Sequence, residues 1–192
     1  MLHNWDSPPR SIRVERLFFA LLPPKRLALS TTAWTQQMLE GSWNLQQPGR
    51  LHITIAITDD FDRLPLDLLD RLLRAGAMIR AAPFPVTLDQ LAISRRSAAL
   101  RPSRVNPGLK ALQQAINHAM TVLGIPMREN WRFNPHMTLG YRDTTPWHQP
   151  VEPRTWRAEE FVLIHSLVGR TQHQLLGHWP LHPIRPAQYE LF

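Results

Sequence analysis

Hydrophobic residues recur along the chain with two different periods. Where they alternate with polar residues or run together over roughly 4–8 positions they predict strands, and where they stand three and four positions apart they predict helices. The clearest helical stripe is Leu109, Leu112 and Ile116, which follows the helix-start signal Asn106-Pro107. On this basis we predict strands at 16–22, 50–58, 84–94, 98–101, 132–142, 160–168 and 171–181, and helices at about 25–39, 65–79 and 107–123.

The order of these elements predicts an α+β fold with mainly antiparallel sheets, because several hairpins are interleaved with helices. A weak internal repeat is also present. A helix, a glycine and a strand that carries a histidine occur twice, with His52 eleven residues after Gly41 and His136 twelve residues after Gly124. The repeat predicts two similarly built lobes that meet at a shared cleft.

Prolines mark segments that we expect to lack regular structure. Pro146, Pro150 and Pro153 predict a loop between the second histidine strand and the last two strands. Residues 1–13 and 183–192 are predicted to be tails, which leaves 14–182 as a single bilobal domain.

Both histidine strands carry the same short motif, a histidine followed two positions later by a threonine. Successive side chains of a strand point to opposite faces, so the histidine and threonine of each motif share a face, as does the small residue two positions further on. A small residue there would leave room for a ligand. The predicted cleft face is His52, Thr54 and Ala56 in the first strand and His136, Thr138 and Gly140 in the second. The predicted core face is Leu51, Ile53, Ile55 and Ile57 in the first and Met137, Leu139 and Tyr141 in the second.

Two histidines and two threonines suit acid–base chemistry at phosphorus. An unperturbed imidazole titrates near pH 6.5, so one histidine is able to deprotonate the attacking group while the other protonates the leaving oxygen. Threonine hydroxyls donate hydrogen bonds to the anionic oxygens of a phosphate. Metal binding is the competing use of histidine, but the motifs lack carboxylates at ligand spacing and threonine is a poor zinc ligand. The pattern favours a displacement without metal and leaves open which histidine is the acid and which the base.

Composition narrows the class of protein more than it narrows the substrate. The chain of 192 residues has no cysteine, which excludes disulfides, thiolate nucleophiles and cysteine-ligated metal sites. It has neither an apolar run long enough to span a membrane nor the apolar segment of a signal peptide, so we expect a cytoplasmic protein. The formal net charge is +7, and 20 of the 22 basic residues are arginine. This excess favours a polyanionic partner such as RNA, but genomic base composition would also enrich arginine.

The paired motifs resemble the signature of the 2H phosphoesterase superfamily. His52-Ile53-Thr54-Ile55 and His136-Met137-Thr138-Leu139 match its paired His-x-Thr-x pattern. The chain is most similar to the bacterial and archaeal branch, the RNA 2′,3′-cyclic phosphodiesterases that are also called 2′-5′ RNA ligases. The resemblance covers about residues 14–182 and extends beyond the motifs to segments 16–21, 133–135, 169–171 and 179–181.

This resemblance implies a bilobal α+β fold with pseudo-twofold symmetry, an active site between the lobes, and no metal or other cofactor. It also implies that a monomeric enzyme opens RNA 2′,3′-cyclic phosphate ends to a 2′-phosphate, with a weaker, reversible 2′-5′ joining activity in some members. The partners would be RNA ends or nucleotides that bear a 2′,3′-cyclic phosphate. The implied site consists of catalytic His52 and His136, phosphate-binding Thr54 and Thr138, and substrate contacts from Tyr141, Arg142, Arg170 and His173.

Two positions depart from the family pattern. Tyr141 stands five positions after the second motif histidine, where the family often has an arginine that contacts the phosphate, and Arg142 follows it. His173 stands in the last strand where a tyrosine is common. Two other functions stay open at this point, a non-catalytic nucleotide- or RNA-binding module and a phosphodiesterase for a small cyclic nucleotide.

Overall fold

Nine strands and three α-helices make up most of the computed structural model, which describes residues 14–168 and 172–183. The strands are β1 (Val14–Leu21), β2 (Asn44–Leu45), β3 (Ile53–Phe61), β4 (Phe84–Ile93), β5 (Ser97–Arg101), β6 (Met137–Tyr141), β7 (Trp147–Ala158), β8 (Glu160–Val168) and β9 (Gln172–Pro180). The helices are α1 (Lys25–Met38), α2 (Leu66–Met78) and α3 (Pro107–Val122), and a short 3₁₀ turn spans Pro48–Arg50. None of the described helices is long and apolar enough to cross a membrane.

The strands form one antiparallel sheet with the order β7-β4-β5-β6-β3-β1-β8-β9, and β2 pairs with β6 beside this path. Four strands lie on each side of the junction between β6 and β3, and each set pairs only antiparallel. We call β3, β1, β8 and β9 lobe 1, and β6, β5, β4 and β7 lobe 2. The strand order therefore confirms an α+β fold with two lobes related by a pseudo-twofold axis.

The core lies mainly between the sheet and the helices. Buried residues from both lobes and all three helices form one cluster, which includes Phe19, Ile53, Leu72, Leu112 and Met137. A second, smaller cluster belongs to lobe 1 and consists of Phe18, Ala20, Ile57, Val162 and Ile164, with Trp131 packed against it. One continuous core thus holds both lobes in a fixed relation, which is what a shared site requires.

Most predicted elements are confirmed, but the predicted loop at 146–153 is wrong. These residues lie at the start of β7 and at its approach, and both Pro150 and Pro153 are inside this 12-residue strand. β7 is the outermost strand of lobe 2 and pairs with β4 on one side only. Proline is tolerated on an edge strand because its missing N–H can fall on the unpaired side.

The two histidine strands also begin later than predicted. β3 begins at Ile53 and β6 at Met137, so each motif histidine is the residue immediately before its strand. The 3₁₀ turn ends at Arg50, just before the first motif. The predicted domain limits of 14 and 182 stay a prediction, because most of the predicted tails lies outside the described residues.

Candidate active site

A central cleft with a volume of about 680 Å³ lies where β3 and β6 meet. The two strands pair antiparallel through Ile53 and Met137, whose side chains are fully buried in the main core. This register sets His52 across from Thr138 and Thr54 across from His136 on the opposite face. All four motif side chains line the cleft.

Each motif histidine is held by the same hydrogen bond. The Nδ1 atom of His52 lies 2.7 Å from the carbonyl oxygen of Arg50, and that of His136 lies 2.7 Å from the carbonyl oxygen of Asn134. A carbonyl oxygen only accepts, so Nδ1 is the donor in both rings. The lone pair of each neutral ring is consequently on Nε2, which makes Nε2 the atom that exchanges a proton.

The two histidines differ in their surroundings. His52 is half-buried, and its ring stacks on Phe18 at a centroid distance of 4.9 Å, whereas His136 is exposed. Loss of solvent around the ring lowers the pKa of His52, and the charge of His136 acts in the same direction. The hydrogen bond to the Arg50 carbonyl opposes this shift but is the smaller effect. The environment therefore favours the neutral form of His52.

His173 completes a small aromatic group in the cleft. It lies on β9, with its ring edge-on to His52 at 5.4 Å and edge-on to Phe18 at 5.7 Å. Burial lowers the pKa of His173 to about 4, with a smaller contribution from the charge of His52. The ring is thus uncharged at neutral pH, and it adds a polar but neutral group beside His52.

Arginine side chains supply the positive charge of the cleft. Arg16 and Arg128 both contact the carboxylate of Asp60, and Arg16 donates two hydrogen bonds to it, at 2.6 and 2.7 Å. Hydrogen bonding from Arg16 is the main reason that the pKa of Asp60 is lowered. The Nε atom of Arg50 is buried in the cleft wall and has no hydrogen-bond partner in the described part of the chain. Arg132 also lines the cleft and is exposed. An anion that entered would meet Arg50 and Arg132 without displacing the Asp60 contacts.

The donor groups of the cleft are nitrogens and hydroxyls. Across residues 14–168 and 172–183, no three histidine, aspartate or glutamate side chains are grouped closely enough to hold a metal ion.

The other predicted contacts are found in different places. Tyr141 was predicted both to face the core and to contact the substrate; the core prediction was wrong, because the residue is 49% exposed and lines both the central cleft and a smaller pocket next to it. Arg142 lines only that smaller pocket, where its guanidinium donates a hydrogen bond of 2.8 Å to the Glu40 carbonyl and lies over the ring of Trp43. Arg170 lies outside the described residues.

A β-bulge in β3 overturns two sequence predictions. The pairing with β1 shifts by one residue between the partners of Phe19 and Ala20. Beyond the shift, Ala56 packs into the main core, while Ile57 belongs to the second cluster and lines the cleft. The prediction that Ala56 leaves room for a ligand and that Ile57 faces the main core was wrong, because strict alternation does not anticipate the extra residue.

Gly140 makes room for a strand instead of a ligand. It pairs with Leu45 of β2, and a Cβ atom at this position would lie 3.0 Å from Leu45 Cδ2 and 3.1 Å from the Asn44 carbonyl oxygen. The close approach of β2 brings Asn44 and Leu45 into the wall of the cleft. The missing side chain therefore shapes the site through a neighbouring strand.

Several cleft residues were not recognised in the sequence, among them Phe18, Arg50 and Trp131. Arg50 stands two positions before His52, and strict alternation over the predicted strand 50–58 would have put it on the cleft face. Phe18 lies in an apolar run of β1 that is buried at every position, so no alternation distinguishes it. Trp131 lies outside regular structure, and no local pattern indicates that it covers lobe 1.

Comparisons with known proteins agree with this architecture. The family model described as the 2′-5′ RNA ligase superfamily matches residues 23–182. The crystal structure of Escherichia coli LigT complexed with 3′-AMP is similar with a TM-score of 0.74 and 23% identity, covering 88% of this chain and 98% of that one. The crystal structure of TT0787 from Thermus thermophilus has a TM-score of 0.69 and 22% identity, covering 86% and 97%. The comparison with curated protein sequences gave no significant match.

Proposed function

This chain belongs to the 2′-5′ RNA ligase superfamily, and from that membership we propose that it opens RNA 2′,3′-cyclic phosphate ends to a 2′-phosphate. The reaction uses no metal, and the same site has a weak, reversible 2′-5′ joining activity. The observation that carries the proposal is the pair of equivalent histidines in one cleft. Each donates from Nδ1 to a main-chain carbonyl two residues earlier and retains Nε2 for proton transfer.

The two Nε2 atoms would divide the proton transfers of an in-line displacement. One neutral imidazole takes a proton from water as the water oxygen bonds to phosphorus, and the bond between phosphorus and O3′ breaks. The other imidazole, in its protonated form, gives its proton to O3′. The products are a 2′-phosphate and a free 3′-hydroxyl, and exchange with solvent restores both protonation states. Joining follows the same steps with the 5′-hydroxyl of a second RNA in place of water, so that a 2′-5′ phosphodiester forms, the bond between phosphorus and O3′ breaks and O3′ takes the proton; the opposite direction cleaves that linkage.

The remaining cleft residues would stabilise the phosphate as charge develops on its oxygens. Thr54 and Thr138 stand across from the histidines and donate neutral hydrogen bonds to the non-bridging oxygens. Arg50 and Arg132 add positive charge. His173 and Tyr141 border the place where the nucleoside would lie. The structures of Escherichia coli LigT with 3′-AMP, ATP and NADP+ support a cleft that accepts nucleotides.

The test is turnover of defined substrates by the purified protein. We expect conversion of a short RNA with a 2′,3′-cyclic phosphate end to the 2′-phosphate, followed by chromatography against synthetic 2′- and 3′-phosphate standards. A product with a 3′-phosphate would contradict the proposed bond cleavage. Binding of the RNA without any conversion would instead assign a binding module, and conversion of a cyclic mononucleotide alone would assign a small-molecule phosphodiesterase.

A further inference from the structure

The open face of lobe 2 continues the floor of the central cleft. Thr138 on β6 pairs with Ala99 on β5, Ala99 pairs with Ala92 on β4, and Ala92 pairs with His148 on β7. Directly paired residues share a face of the sheet, so these four side chains form one row. At the usual strand spacing, the row runs roughly 14 Å away from Thr138. Its two central members are alanines, so no long side chain of the row stands between Thr138 and His148; Ala92 is partly exposed and Ala99 is 7% exposed.

A groove of about 640 Å³ lies over this face, and Asn134 lines both it and the central cleft. Its polar lining includes Arg101, Arg104 and His148, and no carboxylate is found among the described residues that line it. Trp147 lines the groove at the edge strand and is 43% exposed. Large apolar side chains such as tryptophan are mostly buried in proteins, so this exposure is informative. Exposed aromatic rings together with arginines are the groups that bind single-stranded nucleic acid, by stacking on bases and by pairing with phosphates.

The loop that carries Arg104 is held in place. The carboxylate of Asp89 accepts hydrogen bonds from the backbone N–H and the hydroxyl of Ser103, at 2.7 and 2.6 Å. These bonds lower the pKa of Asp89, so the carboxylate stays charged and bonded well below neutral pH. Arg101 is held as well, because it donates a hydrogen bond to the side chain of Asn134. The backbone beside Arg104 and the guanidinium of Arg101 therefore belong to a preformed surface.

Lobe 1 is lined differently. A pocket of about 490 Å³ shares Arg50, Leu167 and His173 with the central cleft, but the described residues that line it include no tryptophan and no arginine besides Arg50. The corresponding face of β1 and β8 is filled by the second cluster, in which Phe18, Val162 and Ile164 are each at most 4% exposed. Trp131 packs against this cluster from outside. Stacking and cationic groups are thus found together in the lobe 2 groove, whereas lobe 1 has an apolar, covered sheet face and a pocket without a tryptophan.

We propose that this groove binds the nucleotides that precede the terminal cyclic phosphate of a single-stranded RNA, with a base stacked on Trp147 and backbone phosphates on Arg101 and Arg104. The inference deepens the proposed function and rests on it. Binding of the preceding nucleotides in the groove would make the enzyme selective for an RNA strand over a mononucleotide with the same cyclic-phosphate end. The groove and the central cleft meet at Asn134, so a strand whose cyclic phosphate lies in the cleft could continue into the groove.

The experiment compares kcat/KM for a nucleoside 2′,3′-cyclic phosphate with kcat/KM for a trinucleotide that has the same cyclic-phosphate end. We expect the wild-type protein to prefer the trinucleotide. Trp147→Ala should reduce the ratio of the two values by about 5- to 160-fold, the range expected for the loss of one base–aromatic stack. Arg104→Gln should also reduce the ratio, and it should lower the slope of log(kcat/KM) for the trinucleotide against log[salt] by about 0.7, the value for one phosphate contact.

Matched controls come from residues outside the groove. Leu175→Ala truncates an exposed apolar residue on β9, the edge strand of lobe 1, and Arg157→Gln removes an exposed arginine from β7. Both should keep the wild-type ratio. A wild-type ratio near one, or a ratio that Trp147→Ala and Arg104→Gln leave unchanged, would overturn the proposal and assign this face to some other partner. Turnover of neither substrate would refute the proposed function itself, and with it the role of the groove as a substrate site.

Discussion

Replacing each motif histidine by alanine tests the central claim about the cleft. Both rings have Nδ1 committed to a carbonyl at 2.7 Å, so each has only Nε2 for proton transfer. Removing a positioned acid or base usually costs about 10²- to 10⁴-fold in rate. We therefore expect His52→Ala and His136→Ala each to lower kcat by that factor, which corresponds to about 2.7–5.4 kcal/mol of transition-state stabilisation.

The combined variants make the expectation sharper. If the histidines act in one concerted displacement, the double variant should lose far less than the product of the two single losses. Thr54→Ala and Thr138→Ala should each cost less than a histidine, because each removes one neutral hydrogen bond to the phosphate that water partly replaces. The loss of kcat should be larger for the histidine than for the threonine of each motif, and the same order is expected in both motifs because they occupy equivalent positions.

Stability measurements separate catalysis from folding. His52→Ala also removes a ring stacked on Phe18, which is worth about 0.5–1.5 kcal/mol of folding free energy. His136 is exposed, so His136→Ala should change the free energy of unfolding less. His118→Ala is the matched control, because His118 is an exposed histidine on α3 that does not line the cleft. Near wild-type turnover in either folded motif variant would refute the reasoning and make the paired motif structural.

Three further outcomes follow from the structure. Burial lowers the pKa of His52 below its ordinary value of 6.5, so the neutral form of His52 persists to lower pH. The acid limb of the pH profile of kcat/KM should therefore have its midpoint below pH 6.5. A midpoint at or above pH 6.5 would contradict the buried environment of His52. Turnover should be unchanged in excess chelator, and a loss that a divalent ion restores would overturn the metal-free mechanism. Gly76→Ala should lower the melting temperature, because the new Cβ would overlap the ring of Trp179 and such overpacking costs about 1–3 kcal/mol. This cost exceeds the helix preference of alanine over glycine, which is about 1 kcal/mol. A stabilised variant would show that the Trp179 ring can move.

The sequence was sufficient for features that depend on local periodicity. The stripe from Leu109 to Ile116 and the cap at Asn106, whose side chain accepts a hydrogen bond from the Leu109 N–H, predicted the helix and its start correctly. The period of two placed each histidine and its threonine on one face, and all four line one cleft. These features are set by neighbours in the chain, so a single sequence contains them.

Features that depend on pairing between distant segments were missed. The prolines of β7 are compatible with a strand only because that strand is at the edge of the sheet, a position that the chain does not reveal locally. The bulge that turns Ile57 toward the cleft arises in the register between β1 and β3. Gly140 is small because β2 approaches it, and β2 is a two-residue strand with no hydrophobic pattern of its own.

The most consequential missed feature is that two nearly identical motifs lie in unlike surroundings. In lobe 1, Phe18 and His173 enclose His52, and the sheet face beyond is apolar and covered by Trp131. In lobe 2, His136 is exposed and the sheet face beyond is open, with Arg101 beside it. This difference between the surroundings of His52 and His136 suits the proposed substrate, whose terminal cyclic phosphate needs two proton-transfer groups but has an RNA chain on only one side. The pseudo-symmetry supplies the pair of imidazoles, and under the proposed function the exposed tryptophan and the arginines of lobe 2 would hold the rest of the substrate on that side.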